Sequence, residues 1–195
     1  MMTYSHDSRI PRKDPLNDSE RLAQFEQVML PHMAAAYNLA RWLTRREEDA
    51  SDVTQEAMVR AFTFFKGYHG GDSRSWLLAI VRNTCYSWLR KNRAHEFSTS
   101  FDLDLHDTED PAANPEGVAV QSANQELLRK AFEEIPLEYR EILVLRELEG
   151  LSYREICGVT ELPIGTVMSR LSRGRARLQR ILQPHQQNEE TKHDL

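Results

Sequence analysis

Apolar residues in this chain recur at intervals of three and four, and that spacing limits it to a helical architecture. Between Glu20 and Leu43 they fall at Leu22, Phe25, Val28, Met29, Met33, Ala36, Tyr37, Ala40 and Leu43, one stripe along a helix. Pro31 interrupts it, which predicts a kink or a start of the main helix near His32. Val53, Ala57, Ala61, Phe62 and Phe65 repeat the pattern over Glu47–Phe65, and Gly67, Gly70, Gly71 and Asp72 then form a loop. Leu77, Ile80, Val81, Thr84, Cys85, Trp88 and Leu89 mark a third helix over Ser73–Arg93. Further periodic segments are Ala123–Ile135, Leu137–Leu148, Ser152–Thr160 and Pro163–Leu182. No strand-like alternation and no internal repeat interrupts them. Eight Gly and eight Pro in 195 residues are too few for a turn-rich sheet.

Residues His95–Ser122 carry Asp102, Asp104, Asp107, Glu109, Asp110 and Glu116, with Pro111 and Pro115 and no Lys or Arg. One-sign charge with little apolar content predicts a flexible acidic linker. The expected architecture is all-α: two small helical domains, residues 20–94 and 123–183, joined by a linker at 95–122. Residues 1–19, polar and holding Pro11 and Pro15, form a disordered tail with neither a signal peptide nor a membrane anchor. Residues 184–195 form a second polar tail, frayed from Pro184. A soluble cytoplasmic protein is expected. Cys85 and Cys157 lie far apart and outside any CxxC pair, and both read as small buried residues. The seven His show no metal-ligand spacing, so no metal or other cofactor is expected.

Ser152-Tyr153-Arg154-Glu155 fits a capping box. A short helix to Thr160, a turn at Glu161-Leu162 and Pro163 opening the next helix make a helix-turn-helix pattern. Spacing alone leaves an ordinary helical hairpin open. Charge separates the two. The net charge of −5 argues weakly against nucleic acid, but the charge is segregated. Ile164–Leu182 contains Arg170, Arg173, Arg175, Arg177 and Arg180 and no acid. Ile164, Val167, Met168, Leu171, Leu178 and Leu182 cluster as a core face. Thr166, Ser169, Arg173, Arg177 and Arg180 lie roughly opposite. Guanidinium groups fork onto guanine edges or phosphates, and hydroxyls contact either, so this face is expected to bind DNA.

Glu155-Ile156-Cys157 and Pro163–Arg175 resemble the C-terminal domain of extracytoplasmic-function (ECF) sigma factors of the sigma-70 family. Ile135–Arg146 resembles the helix beneath their DNA reader. The resemblance implies that Thr166, Ser169, Arg170, Ser172 and Arg173 contact the promoter's minus-thirty-five element, with Tyr153 and Arg177 adjoining. Cys157 replaces a common Ala, Met168 a basic or polar residue, and Glu161 a turn Gly. A left-handed conformation at Glu161 would be strained.

Asp49–Ala57 resembles the family's N-terminal signature. Val53 and Ala57 point inward, leaving Asp52, Gln55 and Glu56 outside. By resemblance Asp49, Asp52, Gln55 and Glu56 dock on the clamp helices of core RNA polymerase. Arg74–Thr84 resembles the segment that reads the minus-ten element. Its chemistry agrees: Ser73–His95 has no acid but holds Arg74, Arg82, Arg90, Lys91 and Arg93, with Trp76, Tyr86 and Trp88 interleaved and Tyr68 in the preceding loop. Cations follow a phosphate backbone and aromatics stack on unpaired bases. Tyr68 and His69 match the family's base-capturing loop, and Arg82, Asn83, Arg90 and Lys91 are the expected DNA contacts. Trp76 and Trp88 read first as core, and Ser87 stands where the family often has an acid.

The expected function is that of a sigma factor, bringing polymerase to promoters without catalysing a reaction. Its partners are core RNA polymerase and promoter DNA, and control by an anti-sigma protein is expected because no input domain is visible. Such a partner could hold the factor at the membrane until it joins the nucleoid. The acidic linker could thread the polymerase cleft or act as a plain tether, and both readings stand. A helix-turn-helix regulator acting alone is the rival. An enzyme is disfavoured, since no nucleophile–base pair, phosphate loop or metal constellation is present.

Overall fold

A computed structural model describes residues 17–96 and 127–193, with side chains over 17–92 and 127–183, and every regular element among them is helical. The first sixteen residues and residues 97–126 lie outside the described residues; of the linker expected at 95–122, His95 and Glu96 instead continue the preceding helix. Helix α1 spans Asp18–Met29. It begins within the stretch expected to be tail, because Asn17 and Glu20 form a capping box: Glu20 N donates to Asn17 Oδ1 at 2.8 Å and Asn17 N to Glu20 Oε2 at 3.0 Å. Pro31 falls in a single 3-10 turn, Leu30–His32, and α2 follows over Met33–Thr44. Pro31 has no N–H to donate, so the chain re-enters the helix one turn later.

Arg45 closes α2 in a left-handed conformation at φ 74°. Helix α3 covers Glu47–Phe64 and α4 Ser73–Glu96. Asp72 starts α4 by accepting from Arg74 N at 3.1 Å and Ser75 N at 3.2 Å. These helices bury Met29, Leu39, Leu43, Val53, Leu77 and Leu78. Phe25 meets Phe62 and Phe65 edge-on at 5.2 and 5.3 Å. Leu22, placed in the stripe by spacing, is 45% exposed because it lies at the stripe's free end.

The second half begins with α5, residues 127–134. Helix α6, Leu137–Leu143, continues as a π-helical turn over Val144–Leu148. Gly150 at φ 68° lets Leu151 N return to Leu145 O at 2.9 Å. Helix α7 is Tyr153–Thr160 and α8 is Ile164–His193. The expected stop near Leu182 is not observed: the α8 backbone continues through Pro184 to His193. Proline there removes one backbone donor, and the Gln- and Glu-rich residues after it are good helix formers.

Gly174 sets how closely α8 approaches α6. A Cβ at that position would lie 3.0 Å from Leu143 Cγ and 3.4 Å from the Tyr139 carbonyl. Val167 and Leu171 are buried, but Ile164 and Met168 are 50% and 51% exposed, against the expected core face. Periodicity sets the phase of a stripe; α6 and α7 decide how wide a strip is covered. Cys85 is buried as expected, whereas Cys157 is only half-buried, packed against the edge of the core.

Glu161 ends α7 at φ 59°, ψ 24°, donating its N–H to Cys157 O at 2.8 Å. The left-handed region costs a non-glycine residue about 1–2 kcal/mol, and glycine's larger unfolded-state entropy offsets roughly 0.5–1 kcal/mol of that. Glu161→Gly is expected to stabilise the fold by about 0.5–1 kcal/mol, measured as a rise in the thermal midpoint. A fall would show that Glu161 makes a compensating contact.

Candidate nucleic-acid interface

The capping box anticipated at α7 is present in full. Ser152 N donates to Glu155 Oε2 at 2.6 Å and Glu155 N to Ser152 Oγ at 3.3 Å. The Ser152 hydroxyl, then the Ser152 backbone N–H, hold the Glu155 carboxyl below its ordinary pKa. Val159 and Thr160 are buried, the Thr160 hydroxyl donating to Ile156 O at 2.6 Å. At the start of α8, Thr166 and Val167 donate back to the Pro163 carbonyl at 2.9 and 3.1 Å. Pro163 therefore flanks the helix rather than opening it. The α7–turn–α8 unit is held by these hydrogen bonds, with one face of α8 turned outward.

That outward face carries Ser169, Ser172, Arg173, Arg177 and Arg180, all exposed. Thr166 is half-buried at its edge. Arg170 pairs with Glu138 at 3.7 Å, and the Arg177 guanidinium lies 5.3 Å from the Tyr139 ring centroid. Arg175 is held by Glu147 at 2.6 Å. Tyr153 sits under Arg146 at 5.1 Å and helps line a shallow concavity with Met168, Ser172 and Gln179. The candidate residues thus divide. Ser169, Ser172 and Arg173 face outward, while Arg170, Arg177 and Tyr153 also brace the domain.

On α3, Asp52, Gln55 and Glu56 are exposed. Asp49 is turned partly inward, at 21% side-chain exposure and 3.8 Å from Arg46. Burial raises its carboxyl pKa, with Arg46 opposing. Glu56 pairs with Arg60 at 2.5 Å. Val59, 67% exposed, continues the same face. Sequence reasoning passed over Val59, although it lies seven residues after Asp52 and three after Glu56, the spacing of one helix face.

The minus-ten candidates are less uniform. His69, Asn83, Arg90 and Lys91 are exposed. The Tyr68 ring stacks on Phe65 at 5.7 Å and leans on Trp76 at 5.1 Å, and its hydroxyl donates to Gly71 O at 2.9 Å. Tyr68 therefore braces the loop from inside and His69 faces out. Trp76 and Trp88 both pack against the core. Ser87 turns its hydroxyl back onto Asn83 O at 2.9 Å.

Arg82 departs most from expectation, because its guanidinium is 17% exposed and faces the second half of the chain. Its Nε donates to Glu141 Oε1 and its Nη1 to Asn83 Oδ1 at 3.2 Å. Tyr86 donates its hydroxyl to Glu141 Oε2 at 3.0 Å and lies under the Arg82 guanidinium at 4.5 Å. Burial, then the Glu141 charge, push the Tyr86 phenol well above its ordinary pKa. Local periodicity gave no sign of this pairing, since the partners are 59 and 55 residues apart.

Residues 29–95 match the family model described as Sigma-70 region 2, and residues 125–178 the one described as Sigma-70, region 4. The chain is 31% identical over 143 residues to the ECF RNA polymerase sigma-E factor of Escherichia coli, covering 70% of this chain and 75% of that protein. The chain belongs to the ECF sigma factors. It is 33% identical over 173 residues to the ECF RNA polymerase sigma factor SigE of Mycolicibacterium smegmatis, covering 88% of this chain and 66% of that protein. Among solved structures, the sigma factor RpoE of Bartonella quintana, in complex with the anti-sigma factor NepR, superposes with a TM-score of 0.66 at 25% identity. That match covers 82% of this chain and 97% of RpoE. CnrH, solved with the cytosolic domain of CnrY, has the same fold, with a TM-score of 0.59 at 23% identity, over 85% of this chain and 92% of that one. An ECF sigma factor is a transcription initiation factor rather than a catalyst. No helix among the described residues is long and apolar enough to cross a membrane.

The caps that fix the reader are testable. Ser152→Ala is expected to lower stability by about 1 kcal/mol, measured in urea at neutral pH. An unchanged midpoint would mean that α7 is held by packing alone.

Proposed function

We propose that this sigma factor docks on core RNA polymerase through the outer face of α3, reads the minus-thirty-five element with α8 and stabilises melted minus-ten DNA with α4 and its preceding loop. The observation that carries this is the outward hydroxyl and guanidinium face of Ser169, Ser172 and Arg173 on a helix-turn-helix whose first helix starts in the Ser152–Glu155 capping box. It stands in one chain with the exposed Asp52, Gln55, Glu56 and Val59 of α3. Asp49, half-buried, positions that helix. His69, Asn83, Arg90 and Lys91 are the accessible minus-ten contacts, and Tyr68 shapes the loop.

The protein carries no catalytic activity of its own: polymerase synthesises RNA, and this subunit places it. An anti-sigma protein holds the factor inactive, a reading supported by RpoE having been solved with one. The factor acts in the cytoplasm, on the nucleoid when released and at the membrane where its inhibitor is anchored there. The acidic segment between the two halves serves as linker, with domains at 20–94 and 123–183.

Reconstitution with core polymerase tests the docking face. Asp52→Arg with Gln55→Ala is expected to abolish holoenzyme assembly in a pull-down while leaving the helical circular dichroism intact. Normal assembly would remove α3 from the interface.

Arg173→Ala is expected to weaken holoenzyme binding to its promoter by about 1–3 kcal/mol and to relax preference in the upstream element. Measured at one salt concentration, an equal loss on random DNA would reduce Arg173 to a phosphate contact.

A further inference from the structure

The two halves of the chain are in contact, and the contact falls on the helix assigned to melted DNA. Both oxygens of the Glu141 carboxylate, on α6, are taken by α4: Oε1 by the Arg82 guanidinium and Oε2 by the Tyr86 hydroxyl at 3.0 Å. Glu141 is 0% exposed. A second acid of the C-terminal half, Glu149, is buried against Arg74 at 2.5 Å. Both acids come from α6 and the turn that follows it. Both cations come from α4, whose described residues include no acid before Glu96.

A phosphate oxygen and a carboxylate oxygen offer the same acceptor to a guanidinium. With Nε on Glu141, Nη1 on Asn83 and the side chain only 17% exposed, Arg82 offers a phosphate far less than it would when released. The outward face of α8 is untouched by this contact, since Ser169, Ser172 and Arg173 remain exposed. Opening would return Glu141 and Arg82 to water, and their hydration would offset much of the lost pairing.

We propose that the free protein rests closed, with Glu141 occupying the Arg82–Tyr86 site of α4 as an internal substitute for DNA phosphate. The latch occupies the Arg74–Arg82–Tyr86 part of the single-strand surface, leaving His69, Asn83, Arg90 and Lys91 exposed and the upstream reader available. It rests on the assignment of α4 to melted DNA, and it adds that the C-terminal domain itself inhibits that surface. Release of Glu141 is then required before Arg82 joins the exposed contacts on unpaired DNA.

The experiment uses the full chain without polymerase. Spin labels at Thr63→Cys and Gln179→Cys, both exposed, in a Cys157→Ser background report the distance between the halves. The wild-type latch should give one narrow distance distribution. Glu141→Gln should broaden and lengthen it, and Glu149→Gln should do so to a smaller extent. Anisotropy with a fluorescein-labelled, mixed-sequence single-stranded DNA should show about tenfold tighter binding by Glu141→Gln, the gain from freeing one charge-assisted phosphate contact. Circular dichroism separates opening from unfolding, and Glu149→Gln serves if Glu141→Gln does not fold. A broad wild-type distribution, or a narrow one unchanged in both variants, overturns the latch. Opening with no gain in single-strand affinity overturns the masking. Holoenzyme assembly by wild type tests the sigma reading separately, because the distance measurement needs neither polymerase nor promoter.

Discussion

A carboxylate with no access to water needs its oxygens satisfied, and Glu141 imposes that demand on the whole molecule. Removing one partner of such a pair costs about 3–5 kcal/mol, because the remaining charge is left buried and uncompensated. Arg82 and Tyr86 meet the demand from α4, 59 and 55 residues away in the chain. Their register therefore fixes where α6 lies on the first four helices. Around that point the contact is mixed. Trp42 of α2 meets Phe132 at 4.7 Å between ring centroids, and Arg45 donates to the Glu133 carbonyl at 2.7 Å. Arg45 and the buried Arg140 both lie at the carbonyl end of α5, where the helix dipole favours cations. Burial, then Arg45, lower the Arg140 pKa to about 10.

This arrangement connects fold to function through one set of cations. Arginines that suit a phosphate backbone also suit carboxylates, so a helix without an acid before Glu96 can attract carboxylates of its own chain as well as DNA. The face of α8 escapes this competition differently. Arg170 and Arg175 are held by acids of their own domain, Glu138 and Glu147, and Arg177 lies over Tyr139. Val167 and Leu171 are buried on the opposite side of α8, and Ser169, Ser172 and Arg173 are exposed.

Much of the fold was legible before any coordinates. The steps of three and four located the helices, Pro31 marked the break between α1 and α2, and Ser152 with Glu155 marked the start of α7. The departures have specific causes. The Asn17–Glu20 box straddled the boundary, with Asn17 in the stretch read as tail. Ile164 and Met168 matched the apolar phase of α8 but lie beyond the strip that α6 and α7 cover. The candidate site was legible as residue types: basic, hydroxyl-bearing and acidic faces stood where spacing placed them. Their availability was not, since Tyr68 packs inward, Asp49 is half-buried and Arg82 is engaged.

By itself the sequence determined everything that depends on neighbours within one or two helical turns. That covers the phase of each apolar stripe, the capping boxes, the helix-turn-helix and the segregation of charge onto α4 and α8. Local spacing suffices there because a helix brings residues three and four apart onto one face. Only the tertiary structure decided which face meets which. The pairing of Glu141 with Arg82 and Tyr86, of Glu149 with Arg74, and the fit of Leu143 against Gly174 depend on the relative placement of whole helices. That placement is set by burial and charge satisfaction summed over distant residues, and no local spacing records it.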